Sequence, residues 1–337
     1  MDSRVCGNDG KRAKRTSCER IIFRFGRTAL TRAVFPHDPA PMSSGIPPAK
    51  GGDLRLTNQR FRQAGEGSIC HMEKTTKNNK YWDEVAKTWQ YTIRQRVLRS
   101  ISDMLNNRLL DRWLPTRRVD YLLKTDLFDE SLTEGASSLL ATRAKKAVGI
   151  DNSVAVLNSA KRNNHNKLHM TAADVRHLPF ATGTFDIIVS NSTLDHFERS
   201  EDIIFSLKEL NRVLRQNGQL LITLDNPLNP FIALRSAFPF SLLNRLGIVP
   251  YYVGATLGAH RLRRTLEELG FSVMEVTTLW HFPRFIVADL ANIVDKPLSG
   301  KLTPKFLKVI LAFEYLSKLP TKYFTGHFVA ARGIKHS

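Results

Sequence analysis

Cysteine is scarce in this chain: Cys6, Cys18 and Cys70 all precede Met72. Everything after Met72 therefore lacks a disulfide, a thiolate nucleophile and a cysteine metal site, which suits a reducing, cytoplasmic setting. Long apolar runs are missing too. None approaches the roughly 18–20 residues that a membrane-spanning helix needs. The greasiest stretch, Pro227 to Val253, is broken by prolines, asparagines and arginines. The 10 histidines form no HExxH pair, so no metal site is expected. No GxSxG elbow is present, which removes the usual serine-hydrolase arrangement. No internal repeat is visible.

Acidic residues are outnumbered. The formal net charge is +19, and residues 1–71, with 13 Lys/Arg against 6 Asp/Glu, supply +7 of it. Such a charge favours anionic partners without fixing which. Basic residues after Met72 are scattered, with a mild concentration from Lys301 to Lys335, and read as a solvated surface.

The first 71 residues mix the basic cluster Lys11 to Arg15 with Pro/Ser/Gly stretches and show no sustained apolar period. They are expected to be disordered or a non-native extension, burying too little apolar surface to offset ordering entropy. The opening MDSRVCGNDGKR resembles translated short genomic repeats, so the natural start is expected at Met72. Asp2, Asp9 and Glu19 argue against a mitochondrial transit peptide.

From Tyr81 the chain becomes periodic. Residues 72–115 are expected to be N-terminal helices, over Tyr81 to Tyr91 and Ile93 to Trp113. In the second, Val97, Ile101, Leu105 and Leu109 share one face, and Pro115 ends it. Residues 116–337 then alternate. Strands are expected within Val119 to Phe128, at Ala147 to Ile150, Leu168 to Ala172, Phe185 to Ser190 and Gln219 to Leu224. Helices are expected at Gly135 to Lys145, Ser153 to Arg162 and Asp202 to Arg215. The run FDIIVS suits a strand buried on both faces. Asn226 to Thr256, rich in Pro, Phe, Leu and Tyr, reads as an inserted helical cap. A helix (His260 to Leu269), a strand (Ser272 to Leu279), helices near Arg284 to Val294 and Pro304 to Leu316, and a strand from Tyr323 to Ala331 complete the pattern. The fold expected is α/β: a doubly wound, mainly parallel sheet with flanking helices.

In such a sheet ligands sit beyond the carboxyl ends of the strands. Four loops should end there: Asp129 to Gly135, Gly149-Ile150-Asp151, Ala173-Asp174-Val175 and Asn191 to Phe197. Asp151, 22 residues after Asp129, fits strand–helix–strand spacing and could accept both hydroxyls of an adenosine ribose. Asp174 is placed to accept from an adenine amino group. Electrostatics selects among adenosine ligands. A dinucleotide needs bare N–H groups around its pyrophosphate, whereas this loop offers Asp129, Glu130 and Glu134. Each like-charge contact at ~5 Å would cost roughly 3 kcal/mol at an effective dielectric of about 20. S-adenosylmethionine has no phosphate and presents a sulfonium and an ammonium, which carboxylates attract.

The strings YWDEVAKTW, LFDESLTEG, AVGID, AADVRHLPFATGTFDIIVSNSTLDHF and LKELNRVLRQNGQLLITLDNP together resemble class I S-adenosylmethionine-dependent methyltransferases. The resemblance is to the broad type 11 group that includes ubiquinone/menaquinone C-methyltransferases. The resemblance covers about Tyr81 to Pro227. It implies a Rossmann-like sheet, donor contacts from the first loop at Asp129, Ser131 and Gly135, ribose binding by Asp151, adenine binding by Asp174 with Val175, and Asn191 behind the donor. The family's glycine-rich loop is altered here, with Ser131 and Thr133 where glycines are expected. That gives the loop its own geometry, in which Asp126 shares a role with Asp129.

Asp195 and His196, following the fourth strand, are the candidates for a general base and its partner; a structural role for His196 weighs equally. His281, Tyr251 and Tyr252 are weaker acceptor-pocket candidates. The expected acceptor is a small, partly hydrophobic molecule, methylated on oxygen, nitrogen or carbon. Two other readings stand beside it: an RNA-directed methyltransferase or RNA-binding protein, and a non-catalytic partner subunit of the same fold. Nucleic acid is disfavoured, because no RNA module is recognisable and Asn191 to Leu194 lacks the Pro-Pro-aromatic string of nucleic-acid methyltransferases. Nothing fixes an oligomeric state.

Overall fold

The computed structural model describes residues 81–85, 93–163, 167–246, 249, 251–284, 286–287 and 299–336. All of them belong to one unit, Arg60–Ser337. The expectations for residues 1–71 and a start at Met72 lie outside the described residues, as does most of the helix expected at Arg284 to Val294.

Strands run Val119–Lys124 (β1), Ala144–Asp151 (β2), His169–Ala172 (β3), Phe185–Asn191 (β4), Leu214–Asp225 (β5), Phe271–Leu279 (β6) and Phe328–Lys335 (β7). They form one sheet in the order β3-β2-β1-β4-β5-β7-β6. The first five pair in parallel; β7 lies antiparallel between β5 and β6. The expected α/β class and mainly parallel sheet are observed. The chain builds outward from β1 to β3, then returns to place β4 on the other side of β1. That reversal opens a crevice at the carboxyl ends of β1 and β4.

Alternation within each strand divides the core between two faces. Leu122, Ile187 and Leu221 face one cluster, with Ile101, Leu105 and Leu140. Leu123, Ile188, Leu220 and Ile222 face the other, with Ile203, Leu207, Leu210, Leu262 and Leu266. The helix Ile93–Trp113 (α1) has the expected bounds, and Ile101 and Leu105 on it are buried. Only 81–85 of the preceding helix are described, and they are helical. After β1 comes a five-residue helix, Phe128–Leu132 (α2), then Ser137–Arg143 (α3), Val154–Asn163 (α4) and Ser200–Val213 (α5). In α5, Ile203, Leu207 and Leu210 are fully buried; burying each such side chain is worth about 1.5–3 kcal/mol.

The stretch from Asn226 to Thr256 contains two short helices, Pro230–Ser236 (α6) and Phe240–Arg245 (α7). Asn229 starts the first by accepting hydrogen bonds from the amides of Phe231 and Ile232, with Pro230 in the first turn. The helices Ala259–Glu268 (α8) and Ser299–Phe313 (α9) follow, with β6 between them. The last strand starts later than its residues suggest. Lys322–Thr325 is a helical turn (α10), and pairing begins only at Phe328. The turn is broken by Gly326, where a Cβ would come within 2.5 Å of the Thr278 Cβ.

Candidate active site

The carboxyl ends of β1, β2, β3, β4 and β5 converge on one cleft of about 1220 Å3, counting its open mouth. The amino end of β7 reaches the same edge because that strand runs the other way. Asp129, Asp151, Asp174, Val175, Asn191, Asp195 and His196, assembled from four loops, all line it. Ser131 and Gly135 do not. Ser131 is buried in α2, where its Oγ donates to the Phe128 carbonyl and its own carbonyl accepts from Ser159 and Asn163. Gly135 has φ +56°, and a Cβ there would lie 2.5 Å from Glu130 Oε1. Its small size makes room for a carboxylate of the chain itself.

That carboxylate corrects the electrostatic expectation for the loop. Glu130 is fully buried, pairing with Lys124 Nζ at 2.9 Å and accepting from the Ala136 amide at 2.9 Å. Glu134 is paired with Lys167 on the surface. The helix turns Glu130 inward and Glu134 lies beyond it on the surface, so of the three only Asp129 lines the cleft, paired with Arg99. Acidity on this side comes instead from strand ends: Asp126 after β1, Asp151 on β2 and Asp174 after β3.

Each of these acids is held in place. Asp126 Oδ1 accepts from the Phe128 amide at 2.9 Å. Asp151 accepts from the amides of Leu127 (3.1 Å) and Ser153 (2.8 Å), which ties β2 to the turn after β1. Burial first, then the charge of Asp126, pushes Asp151 up to about 7. Asp174 is clasped by Arg176 through contacts of 2.6 to 3.2 Å. Burial would raise its pKa, but those hydrogen bonds and that charge hold it below the ordinary value.

The end of β4 carries the second group. Thr125 Oγ1 lies 3.0 Å from both Ser190 Oγ and Thr193 Oγ1, linking β1 to the loop after β4. Ser192 sits at φ +46°, its amide bonded to Thr223. A non-glycine residue in that region at a cleft is strain of the sort functional loops hold. Leu194–His196 then forms a turn of 3-10 helix. Asp195 is 1% exposed; its Oδ2 accepts from the Asp225 amide at 2.9 Å, while Oδ1 has no hydrogen-bond partner among the described residues. Burial above all raises Asp195 to about 6, with Asp225 adding and His196 opposing.

His196 Nδ1 lies 3.1 Å from the Tyr252 carbonyl oxygen. A carbonyl only accepts, so Nδ1 carries the hydrogen, which in the neutral ring makes Nε2 the nitrogen with the lone pair. Nε2 stands 3.9 Å from Asp195 Oδ1. Trp82 and Tyr251 flank the imidazole edge-on, with centroids at 4.7 and 5.8 Å. The strand-like segment behind it depends on Gly254: the amides of Gly254 and Ala255 bond to the carbonyls of Asp195 (2.8 Å) and Phe197 (2.7 Å). A Cβ on Gly254 would lie 1.9 Å from the Phe197 oxygen.

Of the far wall, at β5 and β7, the sequence singles out only Arg235, whose charge with that of Arg245 suits an acidic amphiphile as acceptor. Asp225 pairs with Arg235 at 2.7 Å, and His327 Nε2 lies 3.8 Å from Asp225 Oδ1. Despite burial, the charge and hydrogen bond of Arg235 hold the Asp225 carboxyl below its ordinary pKa; His327, pushed down to about 3 by burial and by Arg284, is neutral beside it. Arg284 Nη1 lies 3.2 Å from His327 Nε2. Asp225 ends an apolar strand, the same signal that marked Asp151, and could have been found by it. Arg284 and His327 have no local signal, because an antiparallel crossing brings them in. Of the weaker candidates, Tyr251 lines the cleft, and Tyr252 serves through its carbonyl. His281 does not line it: its Nδ1 lies 2.7 Å from Thr325 Oγ1 in a packed interior.

Among the described residues no cluster of His, Cys, Asp and Glu could hold a metal ion, and no helix is long and apolar enough to cross a membrane. The donor set at the β1–β3 ends is carboxylate oxygens around a turn without a glycine-lined phosphate cradle. That chemistry fits a cationic, hydroxyl-bearing ligand and disfavours a pyrophosphate.

Comparison with known proteins agrees in part. Residues 132–222 match the family model described as "Methyltransferase domain". A malonyl-[acyl-carrier protein] O-methyltransferase from Legionella pneumophila is 32% identical over 146 residues, which are 42% of this chain and 48% of that protein. The chain thus spans about half the length of this curated relative. Among solved structures, the YcgJ protein from Bacillus subtilis is 16% identical, with 68% of this chain and 98% of that one covered at a TM-score of 0.45. A geranyl diphosphate C-methyltransferase from Streptomyces coelicolor is 13% identical, with 68% and 78% covered at a TM-score of 0.45. By the family match and the curated relative, the region around residues 132–222 is similar to a methyltransferase domain.

Proposed function

We propose that this protein is an S-adenosylmethionine-dependent methyltransferase acting on a small, partly hydrophobic acceptor at an oxygen or nitrogen. The observation that carries the reading is the meeting of two groups in one cleft: the acids at the β1–β3 ends and the Asp195–His196 pair after β4. Asp151 takes the ribose hydroxyls, Asp174 with Val175 the adenine, and Asp126 and Asp129 the cationic end of the donor. Asn191 closes the space behind it. When bound, the donor supplies an electrophilic methyl group on a good leaving group.

The chain's own work is alignment, exclusion of water and removal of a proton. His196 Nε2, bare because Nδ1 is committed to the Tyr252 carbonyl, accepts the proton of an acceptor hydroxyl or amine. Asp195, 3.9 Å away and anchored by the Asp225 amide, steadies the imidazolium that results. Such base catalysis fits oxygen or nitrogen acceptors better than carbon ones. Phe128, Tyr251, Val253 and Phe328 supply apolar walls, with Asn226 to Thr256 enclosing the acceptor. The cytoplasmic setting expected from cysteine usage goes with this reading.

Calorimetric titration with S-adenosylhomocysteine tests it. Saturable heat is expected from the wild type, and much weaker binding from a folded Asp151→Ala variant. No heat from folded wild-type protein at millimolar ligand would defeat the donor assignment.

A further inference from the structure

Three arginines line the cleft, and two are neutralised: Arg99 by Asp129, and Arg235 by Asp225 at 2.7 Å. Arg284 is different. Among the described residues it forms no ion pair with a carboxylate, and its one hydrogen bond joins Nη1 to His327 Nε2 at 3.2 Å. Its guanidinium lies over the rings of Trp280 and Phe328, with centroids at 4.8 and 5.3 Å. Trp280 is 1% exposed and held at φ +61°, so a strained backbone position maintains that aromatic platform.

A guanidinium stays protonated throughout the working range. Among the described residues the nearest carboxylate to act on it, Asp225, is already paired with Arg235, so the wall formed by β5, β6 and β7 holds more positive charge than its one acid balances. Stacking on two rings orients that charge but does not neutralise it. With Nη1 turned to His327, the Nε–Nη2 edge remains. That edge offers two parallel N–H groups, the pattern that matches a carboxylate. Asp225 and Asp195 nearby oppose a second negative charge, which disfavours a phosphate dianion.

We infer that Arg284 anchors a carboxylate of the acceptor, so that the substrate is a carboxylic acid held on the wall opposite the donor. The inference rests on the methyltransferase reading for the word "acceptor", since it places the donor at the β1–β3 ends. His196 lies on the loop after β4, between the two walls. The anchor fixes the acceptor's anionic end, leaving the atom to be methylated to extend toward His196 Nε2.

The test titrates straight-chain carboxylates, from acetate to octanoate, into wild-type protein with and without saturating S-adenosylhomocysteine. Matching alkylamines and alkyl phosphates serve as comparisons. At least one carboxylate should bind saturably, and Arg284→Gln should weaken it by about tenfold or more. Arg284→Lys, which keeps the charge and loses the fork, should fall between. Both variants should bind S-adenosylhomocysteine as the wild type does, which shows that they are folded. Failure of the whole carboxylate series, or equal carboxylate affinity in Arg284→Gln, overturns the inference. Tighter Arg284-dependent binding of alkyl phosphates overturns the carboxylate assignment in favour of phosphate. Arg284-dependent carboxylate binding without any S-adenosylhomocysteine binding keeps the anchor and defeats the donor reading instead.

Discussion

Asp195 has its two oxygens in unequal company: Oδ2 takes the Asp225 amide, and Oδ1 is buried with no hydrogen-bond partner among the described residues. Its carboxyl ionises near 6 in the fold, against an ordinary value of 3.8. The folded state therefore gains most from this residue below pH 3.8 and loses that advantage as pH rises toward about 6. Asp195→Asn keeps an acceptor for the Asp225 amide and removes the charge. It should be more stable than the wild type by roughly 2–3 kcal/mol near neutrality, with the gain vanishing in acid, while turnover falls. Thermal melts across that range, paired with rates, check both parts; a wild type more stable at neutral pH refutes the assignment. Asp151 makes a second prediction. With its pKa near 7, it loses its charge as pH falls through neutrality. S-adenosylhomocysteine affinity should decline over that interval, and Asp151→Asn should bind weakly with a flattened profile.

At the scale of elements, the cleft is built by tight approaches between loops more than by the loops' own sequences. Gly254 shows this. Residues 252–256 run alongside the 3-10 turn at Leu194–His196, and any side chain at Gly254 meets the Phe197 carbonyl at 1.9 Å. Gly254→Ala should destabilise the protein by about 1–3 kcal/mol and displace the His196 ring from the Tyr252 carbonyl. The measurements are the melting temperature and the rate; an active, equally stable variant shows that the segment yields freely. Legibility in the sequence follows the same line. Strands ending in a carboxylate, such as AVGID, could be read because apolar runs and their terminal acids are local. The FDIIVS strand is buried along its length, as its composition indicates. Glu130 misled because five residues of helix turn its side chain inward, and Glu134 because it lies past that helix against Lys167; composition records neither. Gly135 marked the right loop for a different reason: its missing Cβ accommodates Glu130. Arg284 and His327 were invisible because their place in the cleft depends on strand order.

For the whole molecule, that order is the decisive property. Five parallel strands supply the crevice, but β7, hydrogen-bonded to both β5 and β6, completes its wall with His327 and Phe328. Ala330 and Ala331 on β7 are fully buried on opposite faces of the sheet, one in each core cluster. Truncation immediately before Phe328 should leave β6 without a partner and abolish cooperative unfolding. Calorimetry or circular dichroism of the truncated chain checks this, and a sharp melting transition would contradict it.

The antiparallel return of β7 also has a consequence in time. The acids at the β1–β3 ends come from residues translated earlier, and His327 follows them in the chain. A nascent chain can assemble the acids at the β1–β3 ends well before the opposite wall exists. On the proposed reading, the wall for the acceptor is thus completed only after the donor-facing acids have been made.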